Sequence, residues 1–268
     1  MSHALRLTVS LPYPSSLTDS EWALLLQAVP ELGQGRRSRW PTRLVADALF
    51  YVVRTGCQWR HLPHDFPPWQ TVYYHFRRWA LTGRLQRLHE ALRRTVRRRG
   101  GRHQDPSAGV VDSQSVKATE AGGVRGYDGG KRVAGRKRHL LVDTEGLLLA
   151  CDVTAANVAD QAGARRLLAG LRPLQRRLKR IWADGAYVGA PLSDWAAERG
   201  YQVRVVEKPA SQSGFAVQPR RWVVERTFAW LGRSRRLSKD YERRLQSAEA
   251  MIKLAMSRLM VRRLAQRE

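Results

Sequence analysis

Negative charge is scarce in this chain. Its 268 residues hold 23 Asp and Glu against 48 Lys and Arg, a formal net charge of +25. Such an excess points to a polyanion as partner, and to nucleic acid before membrane. Cysteine is nearly absent as well. Cys57 and Cys151 stand far apart and in no metal-ligand spacing, so neither a disulfide framework nor a thiolate metal site is expected, and both read as free thiols. No apolar run approaches the ~18–20 residues that cross a bilayer. The N-terminus, Met1-Ser2-His3-Ala4-Leu5-Arg6, lacks the basic flank, apolar stretch and cleavage site of a secretory signal, and a cytoplasmic protein is expected. No phosphate-binding P-loop is present, so no nucleotide cofactor is expected. Nor is there an internal repeat. What the chain does have is 43% hydrophobic residues, enough for one large or two smaller cores.

Residues 1–98 read as a helical domain. Thr18-Asp19-Ser20-Glu21 is a capping box that opens a helix through Trp22, Leu25 and Leu26. Pro41 suits a first helical turn, and the stripe Leu44, Ala48, Leu49 and Val52 stops at Gly56. The periodicity predicts a third helix from Trp69 to Leu81, with Trp22, Phe50 and Trp79 in the core. Gln70, Tyr73, Tyr74, Arg77 and Arg78 are the positions expected to face DNA, since short helices ending on a basic one resemble a helix-turn-helix domain. A fourth helix over 83–96 runs into a stretch with six arginines and two glycines in ten residues, read as a basic linker over 99–108.

Residues 109–243 read as an α/β domain. The run Gly109-Val110-Val111-Asp112 predicts a buried strand, followed by a polar, glycine-rich loop over 121–132. Next come two hairpin strands joined by Asp143-Thr144-Glu145-Gly146, which suits a type I turn. A helix over 160–170, a strand ending at Asp184, a helix over 190–199, a strand over 202–206 and a helix around Glu225 complete a mixed sheet with helices on both faces. A C-terminal basic helix is expected over 244–268.

Three acids are placed for chemistry. Asp112 and Asp184 each close a strand, and Glu225 sits on a later helix. Carboxylates converging from distant segments can hold divalent ions, and two such ions activate the attacking oxygen and stabilise the leaving oxygen of a phosphodiester. Magnesium takes hard oxygen ligands, so Mg²⁺ is the expected cofactor, with Mn²⁺ as a substitute. Asp143 is better explained as a turn residue and Asp160 as a helix cap. Lys131, Arg132, Arg136, Lys137 and Arg138 are expected to form a basic wall beside the acids. Arg221 lies one helical turn before Glu225 and suits phosphate contact.

Several motifs also resemble a known family. Arg54-Thr55-Gly56-Cys57-Gln58-Trp59-Arg60-His61-Leu62-Pro63 is similar to the N-terminal domain of bacterial insertion-sequence transposases of the insertion-sequence-five group. Asp112-Ser113-Gln114-Ser115, Gly126-Tyr127-Asp128-Gly129-Gly130-Lys131, Ala183-Asp184-Gly185-Ala186-Tyr187 and Val224-Glu225-Arg226-Thr227 resemble the catalytic motifs of that group. The resemblance implies a DDE transposase with an RNase H-like catalytic domain and Asp112, Asp184 and Glu225 as its acids. It implies binding of terminal inverted repeats, cleavage, and transfer of 3′-OH ends to target double-stranded DNA by a homodimer or larger synaptic complex, nucleoid-associated when bound. Around the glutamate the family pattern is broken. Gln218 stands where a tyrosine is usual, and Gly232 where a basic residue is, with Arg233 beside it. Two alternatives stay open at the level of sequence: a sequence-specific DNA-binding protein without catalysis, and an RNase H-like nuclease without strand transfer.

Overall fold

A computed structural model describes residues 13–33, 39–120, 122–171, 173–206 and 222–266. In chain order the elements are α1 (Asp19–Ala28), α2 (Thr42–Thr55), α3 (Trp69–Leu81), α4 (Arg84–Arg99), β1 (Ala108–Lys117), β2 (Gly126–Asp128), β3 (Val133–Asp143), β4 (Leu148–Ala155), α5 (Asp160–Ala169), β5 (Arg180–Ala183), α6 (Ala190–Ala197), β6 (Gln202–Val205), α7 (Trp222–Gly232) and α8 (Leu245–Ala265). They fall into two units. One takes the chain up to Gly100 with Arg233–Ser238 and the stretch from Ala250; the other takes Gly101–Gly232 with Lys239–Glu249.

The helical unit follows its local signals. Thr18 Oγ1 accepts the Glu21 N–H at 3.2 Å while Glu21 accepts the Thr18 N–H at 3.0 Å, closing the capping box of α1. α2 ends at Gly56, whose φ of 72° is the left-handed cap that glycine adopts without strain. Trp22, Phe50 and Trp79 are buried, as expected. The division departs from the expected boundaries at two places. Arg93 and Arg97 are buried on the same face of α4 as Leu85, Leu88, Leu92 and Val96, so the helix runs on to Arg99 where a linker was expected. α8 buries Met251, Ile252, Leu254, Met256, Met260, Val261 and Leu264, which makes its second half core rather than an appended basic helix.

The second unit is a single sheet in the order β2-β3-β1-β5-β6, with β4 also paired to β3. β1, β3 and β4 are antiparallel neighbours, whereas β5 runs parallel to β1 and β6 parallel to β5. An antiparallel trio continued by two parallel strands is an RNase H-like arrangement. The turn between β3 and β4 forms as its residues dictate, with Asp143 Oδ1 accepting the Glu145 and Leu147 N–H groups at 2.9 Å each. On one face, Val111, Leu141, Ile181 and Ala183 pack with Ala164, Leu167 and Leu168 of α5 and Leu192 and Ala196 of α6. α7 packs against β1 and β3. β2 lies inside the segment expected to be loop.

α5 approaches β3 closely because Gly163 has no side chain: a Cβ there would lie 2.1 Å from His139 Cε1. His139 is fully buried, with Nε2 3.0 Å from Thr154 Oγ1. Burial pushes its imidazole down to about 4, against the pull of Asp160 and Asp152. In the helical unit burial pushes His89 down to about 3. Both are neutral in the fold, while an unfolded histidine takes a proton below 6.5. Neither costs stability above that pH. As pH falls from 6.5 toward 4 the unfolded chain gains protons that the folded chain refuses, and stability drops by roughly 3 kcal/mol per histidine. Urea titrations over that range should show the fall, and His139→Gln should flatten it for the sheet unit. An unchanged pH slope in that variant would remove His139 as its source.

Candidate active site

The two aspartates lie on or just past neighbouring strands. β1 and β5 are in parallel register with Ala108 opposite Arg180, Gly109 opposite Ile181 and Val110 opposite Trp182. The pairing ends two residues short of Asp112 and Asp184, and both carboxylates lie within electrostatic reach of Tyr187. Asp112 lies in the middle of β1, Asp184 directly follows β5, and both are partly exposed. β5 stops at Ala183 because Asp184 caps a 3₁₀ turn, Gly185–Tyr187, its Oδ1 accepting the Ala186 N–H at 3.0 Å. Asp112 Oδ1 accepts the Ser113 N–H at 2.7 Å.

That turn delivers Tyr187, which sequence reasoning missed. Its ring is 2% exposed and belongs to the core under the sheet. Burial raises the phenol pKa, and the charges of Asp112, Asp160 and Asp184 raise it further, so the side chain stays an O–H among carboxylates. Two tyrosine signals were available: spacing three residues after Asp184, and an aromatic in an otherwise small and polar turn.

Beside Asp112 lies an ionic network. Ser113 Oγ donates to Asp160 Oδ1 at 2.7 Å, and Lys137 Nζ sits 3.1 Å from that same oxygen and 3.3 Å from Asp128 Oδ2. Ser115 Oγ donates to Asp128 Oδ2 at 2.6 Å. That hydrogen bond is the largest influence holding Asp128 down at about 2, with Lys137 assisting. Lys131 Nζ reaches Ser113 O and Oγ at 3.2 and 3.3 Å. Asp160 is therefore no helix cap. The cap position of α5 is Ala159, and Asp160 turns its carboxylate to Ser113 and Lys137 instead.

The expected basic wall is largely internal. Arg136 is 1% exposed and pairs with Asp240 at 3.0 Å, also donating to the carbonyls of Val124, Glu242 and Arg243. Arg138 is buried, donates to Lys239 O, and is pulled down to about 10 by burial. Lys137 is buried in the network above. These three are corrected from DNA contacts to structural cations; only Lys131 and Arg132 of the five are exposed.

Glu225 is exposed on α7, whose Val223, Val224, Thr227, Phe228 and Leu231 face inward. Thr227 Oγ1 donates to Gly146 O at 2.8 Å, fixing α7 over the β3–β4 turn. Arg226, next to Glu225, lies 4.1 and 4.7 Å from the ring centres of Trp222 and Trp230. Among the described residues no three His, Cys, Asp or Glu side chains are gathered closely enough to hold a metal ion. Asp112 and Asp184 thus lie within electrostatic reach of the same side chain, Tyr187, and Glu225 is not grouped with them among the described residues. Arg221 and Gln218 lie outside the described residues. In the helical unit Gln70, Tyr74 and Arg78 are exposed on α3 and Arg77 is half-buried. Tyr73 is half-buried edge-on to Trp59, with ring centres 5.1 Å apart. Arg233 is exposed, and its carbonyl accepts from Arg54.

Comparison with known proteins covers both units. Residues 103–260, more than half of the chain, match the family model described as "Transposase DDE domain". Residues 17–89 match the one described as "Putative transposase of IS4/5 family". A Burkholderia cepacia protein named "Putative transposase for insertion sequence element IS402" is 33% identical over 127 residues, 45% of this chain and 60% of that protein. The chain thus spans about three fifths of that relative's length. "Uncharacterized protein y4sN" of Sinorhizobium fredii is 31% identical over 117 residues, 43% of this chain and 87% of that protein. No helix among the described residues is long and apolar enough to cross a membrane.

Proposed function

We propose, for a chain that belongs to the family of transposases with a DDE domain, that it binds the terminal inverted repeats of its own mobile element, cleaves there, and joins the freed 3′ ends to target DNA. The observation that carries this reading is the parallel pairing of β1 and β5 up to Val110 and Trp182, two residues before Asp112 and Asp184, with both aspartates within electrostatic reach of Tyr187. Two hard carboxylates on or just past neighbouring strands suit Mg²⁺ or Mn²⁺, and Glu225 would join them from α7. Divalent cations, when bound, supply Lewis-acid polarisation and charge neutralisation at a phosphodiester.

The rest falls to the side chains. Asp112 and Asp184 hold the cations and face the scissile phosphate. Tyr187, kept as an O–H, adds no charge beside them. Lys137, shared between Asp128 and Asp160, offsets part of their charge beside the carboxylates that would bind cations. Water attacks phosphorus in line, the 3′ oxygen leaves as the new hydroxyl, and that hydroxyl attacks a target phosphodiester by the same displacement. Exposed Gln70, Tyr74 and Arg78, with Arg77, are proposed to read or grip the repeat, and Lys131, Arg132, Arg221 and Arg233 to contact phosphates. Bringing two ends together calls for a dimer or larger assembly.

The test is a cleavage and joining assay on DNA bearing the repeats that flank the gene. With Mg²⁺ or Mn²⁺ we expect cleaved 3′ ends and joined products, both lost on chelation and in Glu225→Gln with repeat binding retained. Cleaved but never joined ends would point to a nuclease. Repeat binding with no cleavage, where the assembly demonstrably forms, would overturn the catalytic reading.

A further inference from the structure

The helical unit contains a cavity of about 430 Å³, remote in sequence from the acids and lined in part by Ser16, Thr18, Glu21, Phe50, Arg258 and Arg262. One wall is the segment before α1. It is pinned by Asp47 of α2, whose Oδ1 accepts the Leu17 N–H at 2.7 Å. The opposite wall is the second half of α8. Phe50 and Val261 supply the apolar part of the lining, and the polar part is unbalanced in charge. Arg258 is partly buried, and burial first, then Arg262 and Arg54 within electrostatic reach, draw its guanidinium down to about 10; the one carboxylate acting on it is Glu21, and Arg258 donates to Pro14 O at 3.5 Å. Glu21 is already committed, with one oxygen accepting the Thr18 N–H and the other 3.9 Å from Arg262. Across the cavity the buried Ser16 Oγ has no hydrogen-bond partner among the described residues. Two guanidinium groups, one carboxylate and an orphaned hydroxyl line the cavity and leave a surplus of donors and one positive charge.

We infer that this cavity seats one phosphate of the DNA backbone, held by Arg258 and Arg262 with Ser16 donating, and so gives the helical unit a grip on DNA apart from α3. A phosphodiester is monoanionic and accepts several hydrogen bonds, which suits arginine above lysine as its partner. The excess left over by Glu21 is of the sign and size that one such group offsets. The choice of DNA as the source of the phosphate rests on the transposase reading; the anion chemistry of the cavity does not.

Two measurements on the full chain test it, with Arg258→Gln, Arg262→Gln and Ser16→Ala beside the wild type. The first is the slope of log K against log salt for DNA carrying the flanking repeats. Each arginine variant should flatten it by roughly 0.9, the share of one phosphate contact. The second is the thermal midpoint in inorganic phosphate against chloride at equal ionic strength. Phosphate should raise the wild-type midpoint, and the rise should vanish in Arg258→Gln and shrink in Ser16→Ala. Both effects together support a backbone seat. Phosphate protection lost in the variants with an unchanged DNA slope would overturn it in favour of a free phosphate or phosphorylated small molecule. No phosphate protection and an unchanged slope would overturn the site altogether. Cleavage by the wild-type preparation, run in parallel, separates failure of this site from failure of the transposase reading. Should Arg258→Gln fail to fold, Arg262, about half exposed, and Ser16 carry the test.

Discussion

Asparagine in place of Asp184 is expected to lower cleavage and joining by on the order of 10³-fold, the scale on which a single preorganised electrostatic group matters at a reacting centre. Asp112→Asn should do the same. The substitution removes charge and little else. Asp184 caps its 3₁₀ turn through Oδ1, which accepts the Ala186 N–H, and Asp112 Oδ1 accepts the Ser113 N–H. An asparagine carbonyl accepts either bond, so the turn after β5 and the middle of β1 should persist. Thermal midpoints should therefore stay close to the wild type while activity collapses. Because the two carboxylates act as one unit, the double variant should be scarcely worse than either single. Gel-shift binding to the repeats should survive, since it is assigned to the helical unit. Cleavage by Asp184→Asn within tenfold of the wild type would remove this residue from the site.

The second large effect is on stability. Arg136→Met is expected to destabilise the sheet unit by about 3–5 kcal/mol, the range for breaking a buried pair and stranding its partner. Arg136 is 1% exposed, and Asp240 is 3% exposed. Removing the guanidinium leaves that carboxylate without its cation and three carbonyls, of Val124, Glu242 and Arg243, without a donor. The loss reaches across the unit, because the Asp240 backbone also pairs with the end of β1, its N–H donating to Lys117 O at 2.8 Å. Asp240→Leu on top of Arg136→Met should recover part of the loss, since two apolar residues cost less in a buried site than one unpaired charge. Urea denaturation of the four proteins measures the cycle. An Arg136→Met protein of wild-type stability with weakened DNA binding would reinstate the arginine as a surface contact.

That arginine also shows where sequence reasoning stops. The strand expected to close at Asp112 runs on to Lys117 and carries that residue in its middle, but other elements announced themselves by local pattern: Thr18 with Glu21, the left-handed Gly56, the turn from Asp143 to Gly146, and the strand before Asp184 all formed where expected. Each depends on residues within a few positions of one another. Arg136, Lys137 and Arg138 carry no such signal, because a basic run reads alike whether it faces water or a carboxylate delivered by a far segment. Asp240 arrives a hundred residues later, and Asp128 and Asp160 from separate elements. α4 misled in the same way. Its arginines resembled a solvated linker, yet Arg93 and Arg97 fall on the helix face that carries Leu85, Leu88, Leu92 and Val96. The candidate site was legible as three acids. The neighbouring strands that carry two of them, and the tyrosine within reach of both, required the parallel pairing of β1 and β5.

The helical unit draws on the stretch from Ala250 onward as well as on the chain up to Gly100. A ribosome that has delivered α1 to α4 has therefore not yet supplied the apolar surface of Leu254, Met260 and Leu264. The first-made unit must wait, partly formed, while the sheet unit is translated in full, and it closes last. Synthesis thus imposes a delay: nascent chains carry an unfinished helical unit until α8 emerges, with apolar surface open to chaperones throughout that interval.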